Sequence, residues 1–274
     1  MATLAPTFSC PGLRPSGVHA PRQAAVPAVP TSHRSASGFK RWEAWKRSVY
    51  LGLGLAVARA LRVRRASERL QSLPSLEGKA DESLRFSEMA NWIAPGQLMV
   101  GRYPMIQKNK DACQRHLQRL VREAEISTFV CVQSEVPGQE DLRSWPAGGI
   151  DVKGRRCLPY AKMARQLAVR KLHFVHQPMR DLEVPGNEHL LAFTEDLEAQ
   201  IQQGERILVH CMGGRGRSNL VAGCLLARLY DLSPNEVESR LQDGYDSRNY
   251  DNCLVPETQR QRETLRKFIE TLRA

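Results

Sequence analysis

The stretch Ile207-Leu-Val-His-Cys-Met-Gly-Gly-Arg-Gly-Arg-Ser-Asn-Leu-Val-Ala-Gly-Cys-Leu-Leu-Ala-Arg-Leu-Tyr230 predicts the centre of an α/β fold. It begins as a short apolar run typical of a buried strand and ends as a longer apolar run typical of a buried helix. A glycine-rich turn with one cysteine and two arginines lies between them. Such a turn at a helix N-terminus presents free backbone N–H groups, so the stretch predicts an anion site.

The residues of this turn suit phosphate chemistry. Cys211 would lie at the positive end of the helix dipole beside an arginine, which favours the thiolate and makes it a nucleophile without a separate base. Arg217 supplies a planar fork for two phosphate oxygens, and Ser218 can donate a hydrogen bond to the sulfur when it leaves. Three glycines let the backbone approach a small tetrahedral anion closely: Gly213, Gly214 and Gly216.

A phosphoryl transfer to Cys211 also needs a proton for the leaving oxygen. Asp181 is predicted to supply it, because it follows the preceding strand and parallel strands bring such loops to one edge of a sheet. Glu183 is the competing candidate. His210 is interpreted as a hydrogen-bonding residue that orders the loop rather than as a base. Arg215 is interpreted as loop charge that favours the thiolate, with a role in reading extra substrate charge as the alternative.

The charge distribution removes most of the argument for a nucleic-acid partner. Residues 1–85 hold 14 Lys/Arg and 5 Asp/Glu, whereas residues 86–274 hold 26 and 24, so the net charge of +11 divides into +9 and +2. The folded part is therefore nearly neutral. The seven cysteines contain no Cys-x-x-Cys pair, which disfavours a disulfide framework or a zinc site and favours a reducing compartment. No cofactor and no metal are expected.

The N-terminal residues predict a leader rather than a folded unit. Residues 1–42 lack acidic side chains and are rich in Ala, Pro, Ser and Arg, as in an organelle transit peptide, with a plain disordered tail as the alternative. Their composition resembles plastid leaders more than mitochondrial ones, and a cytoplasmic location is the remaining alternative. Residues 43–85 are interpreted as a basic and apolar segment followed by a linker. Peripheral membrane contact through residues 49–65 stays open beside helix packing or removal with the leader.

Strand and helix patterns alternate through residues 86–274, the predicted catalytic domain. They predict a mostly parallel central sheet flanked by helices on both faces, behind a disordered leader. Strands are predicted as a hairpin or first strand within 91–104, then at Ile126–Val132, Lys171–Pro178 and Arg206–His210. Helices are predicted at Asp111–Glu125, Tyr160–Val169, Asn187–Gln203, Ser233–Leu241 and Pro256–Arg273. The helix at Asn187 is predicted to have an Asn cap, and the helix at Ser233 is predicted to begin with a capping box. Residues 134–170 are otherwise a long excursion of unassigned purpose.

The His210-Cys211-x5-Arg217-Ser218 pattern resembles the cysteine-dependent protein tyrosine and dual-specificity phosphatases, over roughly residues 90–270. Its glycine spacing is most similar to the kinase-associated phosphatase branch and to plant, algal and bacterial relatives. The resemblance implies that residues 212–216 bind the phosphate, that His176-Gln-Pro-Met-Arg-Asp181 is the general-acid loop, and that Gln261 positions the hydrolytic water, with Gln259 in reserve. Tyr245-Asp-Ser-Arg248 is similar to a segment of the plant relatives. Met212 and Arg215 match no subfamily signature.

The function implied is phosphomonoester hydrolysis through a phosphocysteine intermediate, with a phosphorylated protein as substrate. The alternatives are an organellar phosphatase of lipid headgroups or phosphorylated glucan, a non-catalytic phosphate-binding module, and sulfur transfer by a rhodanese-like loop. Arg215 and the basic residues 59–65 favour lipid, whereas the absence of a carbohydrate module speaks against glucan. Cys211, Arg217 and Asp181 together disfavour the silent module, and Ser218 and Asp181 disfavour sulfur transfer.

Overall fold

The computed structural model describes Leu76 and residues 83–274. Its strands are β1 (Arg85–Ser87), β2 (Ala90–Ala94), β3 (Leu98–Gly101), β4 (Thr128–Gln133), β5 (Ile150–Val152), β6 (Arg155–Cys157), β7 (His173–Met179) and β8 (Ile207–His210). Its α-helices are α1 (Lys110–Arg122), α2 (Ala161–Leu167), α3 (Asn187–Gln202), α4 (Arg217–Tyr230), α5 (Pro234–Asp246) and α6 (Gln259–Arg273). Two short 3-10 turns lie at Gln107–Asn109 and Leu142–Ser144.

The main sheet has six strands in the order β1-β2-β3-β8-β4-β7. Strands β1 to β3 form an antiparallel meander, and β3, β8, β4 and β7 are parallel to their neighbours. The predicted strand before the glycine turn, β8, is central and pairs with β3 on one side and β4 on the other. The predicted hairpin within 91–104 is β2 and β3, and the mostly parallel sheet is confirmed.

Alternate side chains of β4 face opposite helical layers. Phe129 and Cys131 pack in one apolar cluster with α1 and α2, whereas Val130 and Val132 pack in a second cluster with α3 to α6. This alternation follows from the two-residue period of a strand. Both faces of the sheet are therefore covered by helices, as predicted from the continuous apolar runs.

One predicted helix cap and one predicted helix start are wrong. Helix α3 is preceded by Gly186 rather than capped by Asn187, whose side-chain Nδ2 instead donates to Thr271 Oγ1 at 3.0 Å on α6. The last helix begins at Gln259 rather than Pro256, because Thr258 is the residue that forms a capping box with Gln261. A hydroxyl with a glutamine three residues later satisfies two backbone donors there, and Pro256 lies before this box.

Helix α5 keeps its predicted capping box at Ser233 but extends past Leu241 to Asp246. The additional turn is packed on β2, since a Cβ placed at Gly244 would lie 3.1 Å from the Trp92 carbonyl oxygen. The unassigned residues 134–170 contain a separate two-stranded hairpin, β5–β6, followed by the predicted short helix α2. The hairpin turn has Lys153 at φ +52° and Gly154 at φ +75°, as in a tight primed turn.

The predicted transit peptide, 1–42, and the basic segment with its proposed membrane contact, 49–65, lie outside the described residues. Within the part of the chain that the structure describes, no helix is both long and apolar enough to cross a bilayer.

Candidate active site

The predicted phosphate loop, residues 212–216, follows Cys211 at the carboxyl end of β8 and leads into the first residue of α4, Arg217. Cys211 is buried, with only 3% of its surface exposed. Its Sγ accepts a hydrogen bond from the Gly214 backbone N–H at 3.3 Å and lies 3.3 Å from Ser218 Oγ. The structure thus places the predicted nucleophile and the predicted sulfur hydrogen-bond donor in direct contact.

The carbonyl oxygens of the loop are bound from outside it. Met212 O accepts from the Tyr103 backbone N–H at 3.3 Å, and the Asn219 side chain donates to the carbonyls of both Gly214 and Arg215 at 2.9 Å. In a trans peptide bond, the C=O of one residue and the N–H of the following residue point in opposite directions. Because these three carbonyls are bound from outside the loop, the N–H groups of the residues that follow them point to its inside. That is the arrangement an oxyanion needs.

Two glycines have specific steric reasons to be glycine. Gly214 has φ +68°, and a Cβ there would lie 2.7 Å from the Gly101 carbonyl oxygen. A Cβ at Gly216 would lie 2.7 Å from Gln261 Oε1 and 2.9 Å from Gln261 Nε2. The loop therefore lies against strand β3 on one side and against the start of α6 on the other.

Arg217 is 3% exposed and is held by Glu135 and by the last residue of β7, Met179. Its Nη1 and Nη2 atoms donate to the two carboxylate oxygens of Glu135 at 2.6 and 2.9 Å, and Nη1 also donates to the Met179 carbonyl at 2.9 Å. Burial favours a lower pKa for this guanidinium, but the hydrogen bonds and charge of Glu135 raise the pKa above its ordinary value. The fork is thereby oriented and stays charged.

Asp181 lies beside this arginine, as predicted for the general-acid loop. Its Oδ1 is 3.1 Å from Arg217 Nη2, and its Oδ2 accepts a hydrogen bond from Lys153 at the tip of the β5–β6 hairpin. Partial burial raises the pKa of Asp181, but the hydrogen bond from Lys153 and the charges of Arg217 and Lys153 outweigh it, so the pKa is lowered. The unliganded site therefore holds Asp181 as a carboxylate.

The alternatives to Asp181 and Gln261 lie elsewhere. Glu183 is 56% exposed and is paired with Arg180 at 3.9 Å, and Gln259 is exposed and bonded to Glu263 at 3.0 Å. Gln261 is buried against Gly216, and its Nε2 has no hydrogen-bond partner among the described residues. Geometry thus favours Asp181 and Gln261 over the competing residues.

His210 precedes the nucleophile and is fully buried. Its Nε2 is 2.5 Å from the hydroxyl of Tyr160, at the start of α2. Burial, together with the charge of His176, lowers the pKa of His210 to about 3, so the imidazole is neutral at physiological pH. The predicted role of ordering the loop fits this contact better than the alternative role of base.

Arg215 lines the cleft beside Cys211, but its guanidinium is engaged by other side chains. Its Nε donates to the Tyr245 hydroxyl at 3.0 Å, and its Nη2 is paired with Asp251. With its guanidinium committed to these partners, Arg215 anchors the loop to the end of α5. Met212 is half-buried and packs with its side chain in the α1 and α2 cluster.

Three of the five catalytic candidates share one cleft of about 130 Å³, whereas Ser218 and Gln261 do not line it. Cys211, Arg217 and Asp181 line it together with Glu135 and Lys153. Among residues 83–274, no group of three or more His, Cys, Asp or Glu side chains is arranged to hold a metal ion. The site assembles a thiol, a bound arginine fork, inward N–H groups and a carboxyl group around one small space, which suits phosphoryl transfer to sulfur.

The family model described as "PTP-SAK: Swiss Army Knife protein, DSP-PTPase phosphatase domain" matches residues 87–267. The chain belongs to this family. The resemblance to cysteine-dependent phosphatases seen in the sequence is confirmed at the level of the family.

Curated relatives match a short part of the chain. Cyclin-dependent kinase inhibitor 3 of Sus scrofa is 41% identical over 69 residues, which are 25% of this chain and 32% of that protein. A putative tyrosine phosphatase, 067L, of Invertebrate iridescent virus 3 is 35% identical over 68 residues, covering 23% of this chain and 28% of that protein. The matched segments thus span about a third of those relatives.

Solved structures of phosphatases are also similar to the chain. Kinase associated phosphatase with its catalytic-site cysteine changed to serine is 22% identical, with coverage of 65% of this chain and 88% of that one and a TM-score of 0.45. Tk-PTP in its active form is 24% identical, with coverage of 66% and 97% and a TM-score of 0.45.

The cleft residues that the sequence did not predict include Glu135 and Lys153, which contact Arg217 and Asp181. A signal existed for Glu135, since it follows the carboxyl end of β4 by two residues and so lies at the same sheet edge as Cys211. For Lys153 the signal is weaker: Lys-Gly between two short extended pieces is compatible with a hairpin turn, but nothing local indicates that this turn reaches Asp181.

Proposed function

We propose that this phosphatase hydrolyses phosphotyrosine in proteins, and phosphoserine or phosphothreonine as well, through a phosphocysteine intermediate. The observation that supports this most strongly is the shared cleft in which Cys211, Arg217 and Asp181 lie within contact of one phosphate-sized space. The proposal extends the family assignment to a substrate class and to a role for each residue.

In the first step the phosphate binds to Arg217 and the loop N–H groups. The Cys211 thiolate attacks phosphorus, so that the S–P bond forms while the bond to the leaving oxygen breaks. Asp181 gives its proton to that oxygen and becomes a carboxylate. Asp181 is held deprotonated in the free enzyme, but a bound phosphate dianion offsets the positive charge of Arg217 and raises the pKa of the carboxyl group toward its protonated form.

In the second step water attacks the phosphorus of phosphocysteine. Asp181 accepts the proton from the water, the S–P bond breaks, and Cys211 returns as a thiolate that accepts a hydrogen bond from Ser218, 3.3 Å away. The amide of Gln261 is proposed to hold the water, and its buried, unpartnered Nε2 beside Gly216 supports this role.

The proposed protein substrate is favoured over a lipid by the position of Arg215. The sequence argument for a lipid rested partly on Arg215 as a reader of extra phosphates, but its guanidinium is engaged by Tyr245 and Asp251. An assay of the purified protein against an aryl phosphate, phosphotyrosine and phosphoserine peptides, phosphoinositides, phosphatidylglycerophosphate and phosphoglucan tests the proposal. Turnover of phosphopeptides well above that of the lipids and glucan is expected, and the reverse order would refute it.

We further propose a plastid location directed by residues 1–42. The lack of acidic residues and the abundance of Ala, Pro, Ser and Arg support it. Fusion of residues 1–70 to a fluorescent reporter tests the location: plastid import is expected, and a diffuse cytosolic signal would reject it.

A further inference from the structure

The rim of the cleft carries three cations outside the phosphate loop. Arg102 follows β3, and Lys153 and Arg155 belong to the β5–β6 hairpin; all three line the same cleft as Cys211. We call Arg102, Lys153 and Arg155 the rim cations. The mechanism above needs none of them to bind the reacting phosphate, so their common position requires a separate explanation.

The other cleft charges are largely neutralised by one another. Arg217 is paired with Glu135, and Arg215 is paired with Asp251. Of the rim cations, Lys153 is paired with Asp181, whereas neither the Arg102 nor the Arg155 guanidinium makes a hydrogen bond or ion pair to any described side chain. Besides Glu135 and Asp181, the cleft has one further carboxylate, the exposed Glu257. The rim is therefore left with a net positive charge that faces an incoming substrate.

Each rim cation is placed to be reached by a ligand. Lys153 is 72% exposed, and Arg155 is exposed on the same hairpin. Arg102 lies over the ring of Tyr250, with its guanidinium carbon 4.4 Å from the ring centroid. This stacking holds the guanidinium plane in place while leaving its N–H groups available.

We propose that the rim cations form a second anion subsite, so that the preferred substrate is a phosphoprotein segment with an acidic side chain or a second phosphoryl group beside the phosphorylated residue. The inference rests on the proposed function and narrows its substrate class. A second anion draws Lys153 away from Asp181, which removes one of the two cations that hold Asp181 deprotonated. Binding of an acidic substrate and protonation of the general acid are thus coupled through Lys153.

A membrane surface is the competing source of anions, and the surroundings of the cleft disfavour it. Docking on a bilayer also uses apolar side chains beside the basic ones. The large apolar or aromatic side chains exposed in the described residues are Leu142, Val169, Leu182, Tyr250 and Leu254, and of these only Tyr250 lines the cleft.

The test compares two phosphotyrosine peptides that differ only in having glutamates or glutamines beside the phosphotyrosine. The measured quantity is the ratio of kcat/KM for the acidic peptide to that for the neutral peptide. For the wild-type chain we expect a ratio of about fivefold to tenfold, since each exposed ion pair contributes modestly. The ratio should fall to near one in the double variant Lys153→Gln, Arg155→Gln. Arg156→Gln is the matched control, because Arg156 is exposed on the same hairpin but does not line the cleft.

The pH profile supplies a readout that a merely structural role would not move. Asp181 must be protonated, so kcat/KM falls as pH rises through its pKa. Since Lys153 lowers that pKa, Lys153→Gln should move this basic limb to higher pH. A wild-type ratio near one, a ratio that survives the double variant, an unmoved limb, or faster turnover of phosphatidylglycerophosphate vesicles than of the acidic peptide would overturn the subsite.

The control substrate separates the two proposals. An aryl phosphate lacks a second anion, so turnover of it reports the phosphatase chemistry alone. Failure to hydrolyse this compound would reject the proposed function. Hydrolysis of it without preference for the acidic peptide would reject only the subsite.

Discussion

Replacing Arg248 with methionine should destabilise the fold and loosen the phosphate loop together. Arg248 is 1% exposed and lies two residues after the end of α5. Its guanidinium donates to Asn91 Oδ1 at 2.6 Å, to the Val100 carbonyl at 3.0 Å and to the Gly214 carbonyl at 3.3 Å. One buried side chain therefore joins β2, β3 and the loop that carries Cys211, and methionine keeps most of its length while removing every donor.

The size of the effect follows from two opposing contributions. Three hydrogen bonds from a charged donor contribute about 1.5 to 3 kcal/mol each to the free energy of unfolding. Burial lowers the pKa of Arg248 from 12.5 to about 10. This shift means that burying the charged guanidinium lowers the free energy of unfolding by about 3 kcal/mol. The neutral methionine variant does not have this cost. The net loss is thus about 4 kcal/mol, or a Tm lower by about 8 to 16 °C for a domain of this size.

Thermal unfolding with and without orthovanadate measures both consequences. Arg240→Met is the matched control: Arg240 lies on α5 and donates to one carbonyl only, that of Ile93 at 2.9 Å. We expect Arg248→Met to lose several times more stability than the control and to gain less from vanadate, because the Gly214 carbonyl has lost a donor. Equal losses in the two variants, with unchanged vanadate stabilisation, would refute the reasoning.

Three further outcomes are expected. Asp181→Asn should lower kcat by about 100-fold or more for alkyl phosphates and less for aryl phosphates with good leaving groups; equal losses in steady-state assays would reject Asp181 as the general acid. Gly216→Ala should displace Gln261, because the added Cβ would meet its amide, and should thereby slow the hydrolysis of phosphocysteine. Slower hydrolysis would be measured as a larger burst of released alcohol before steady state. A burst of wild-type size would contradict the contact. Burial, together with neighbouring charges led by Arg119 for His116 and His176 for His210, lowers the pKa of both histidines from 6.5 to about 3. The unfolded chain therefore binds these protons first as pH falls below 6.5, and stability should drop by about 1.4 kcal/mol per pH unit for each histidine. His116→Gln should halve that slope in thermal unfolding between about pH 7 and pH 5, and a Tm independent of pH there would disprove the assignment.

Features encoded within a few residues were predictable from the sequence. The order apolar strand, glycine turn, apolar helix places Cys211 and Arg217 by local geometry alone. Asp181 followed from one rule about the carboxyl edge of parallel sheets, and β7 and β8 do end at that edge on either side of β4. The capping box at Ser233 was predictable because it depends only on two side chains that lie three positions apart in the sequence.

Features that depend on distant contacts were not predictable. The β5–β6 hairpin lies in a region of glycines and prolines with no period, so its pairing with Asp181 through Lys153 has no local signature. Arg248 belongs to a segment that the family resemblance singled out, yet nothing in the sequence indicates that a cation lies buried beneath Gly214. The end of α5 was predicted too early for the same reason, since packing of Gly244 on β2 extends the helix.

Detection of a phosphoryl group on Cys211 tests the central claim most directly. The purified protein would be mixed with an aryl phosphate, quenched in acid within its first turnovers, and its intact mass and peptides measured. We expect the mass of one phosphoryl group on the peptide that contains Cys211, and neither that mass nor turnover in Cys211→Ser. Undiminished turnover by Cys211→Ser, or an active wild-type protein with its phosphoryl group on another residue, would contradict the mechanism.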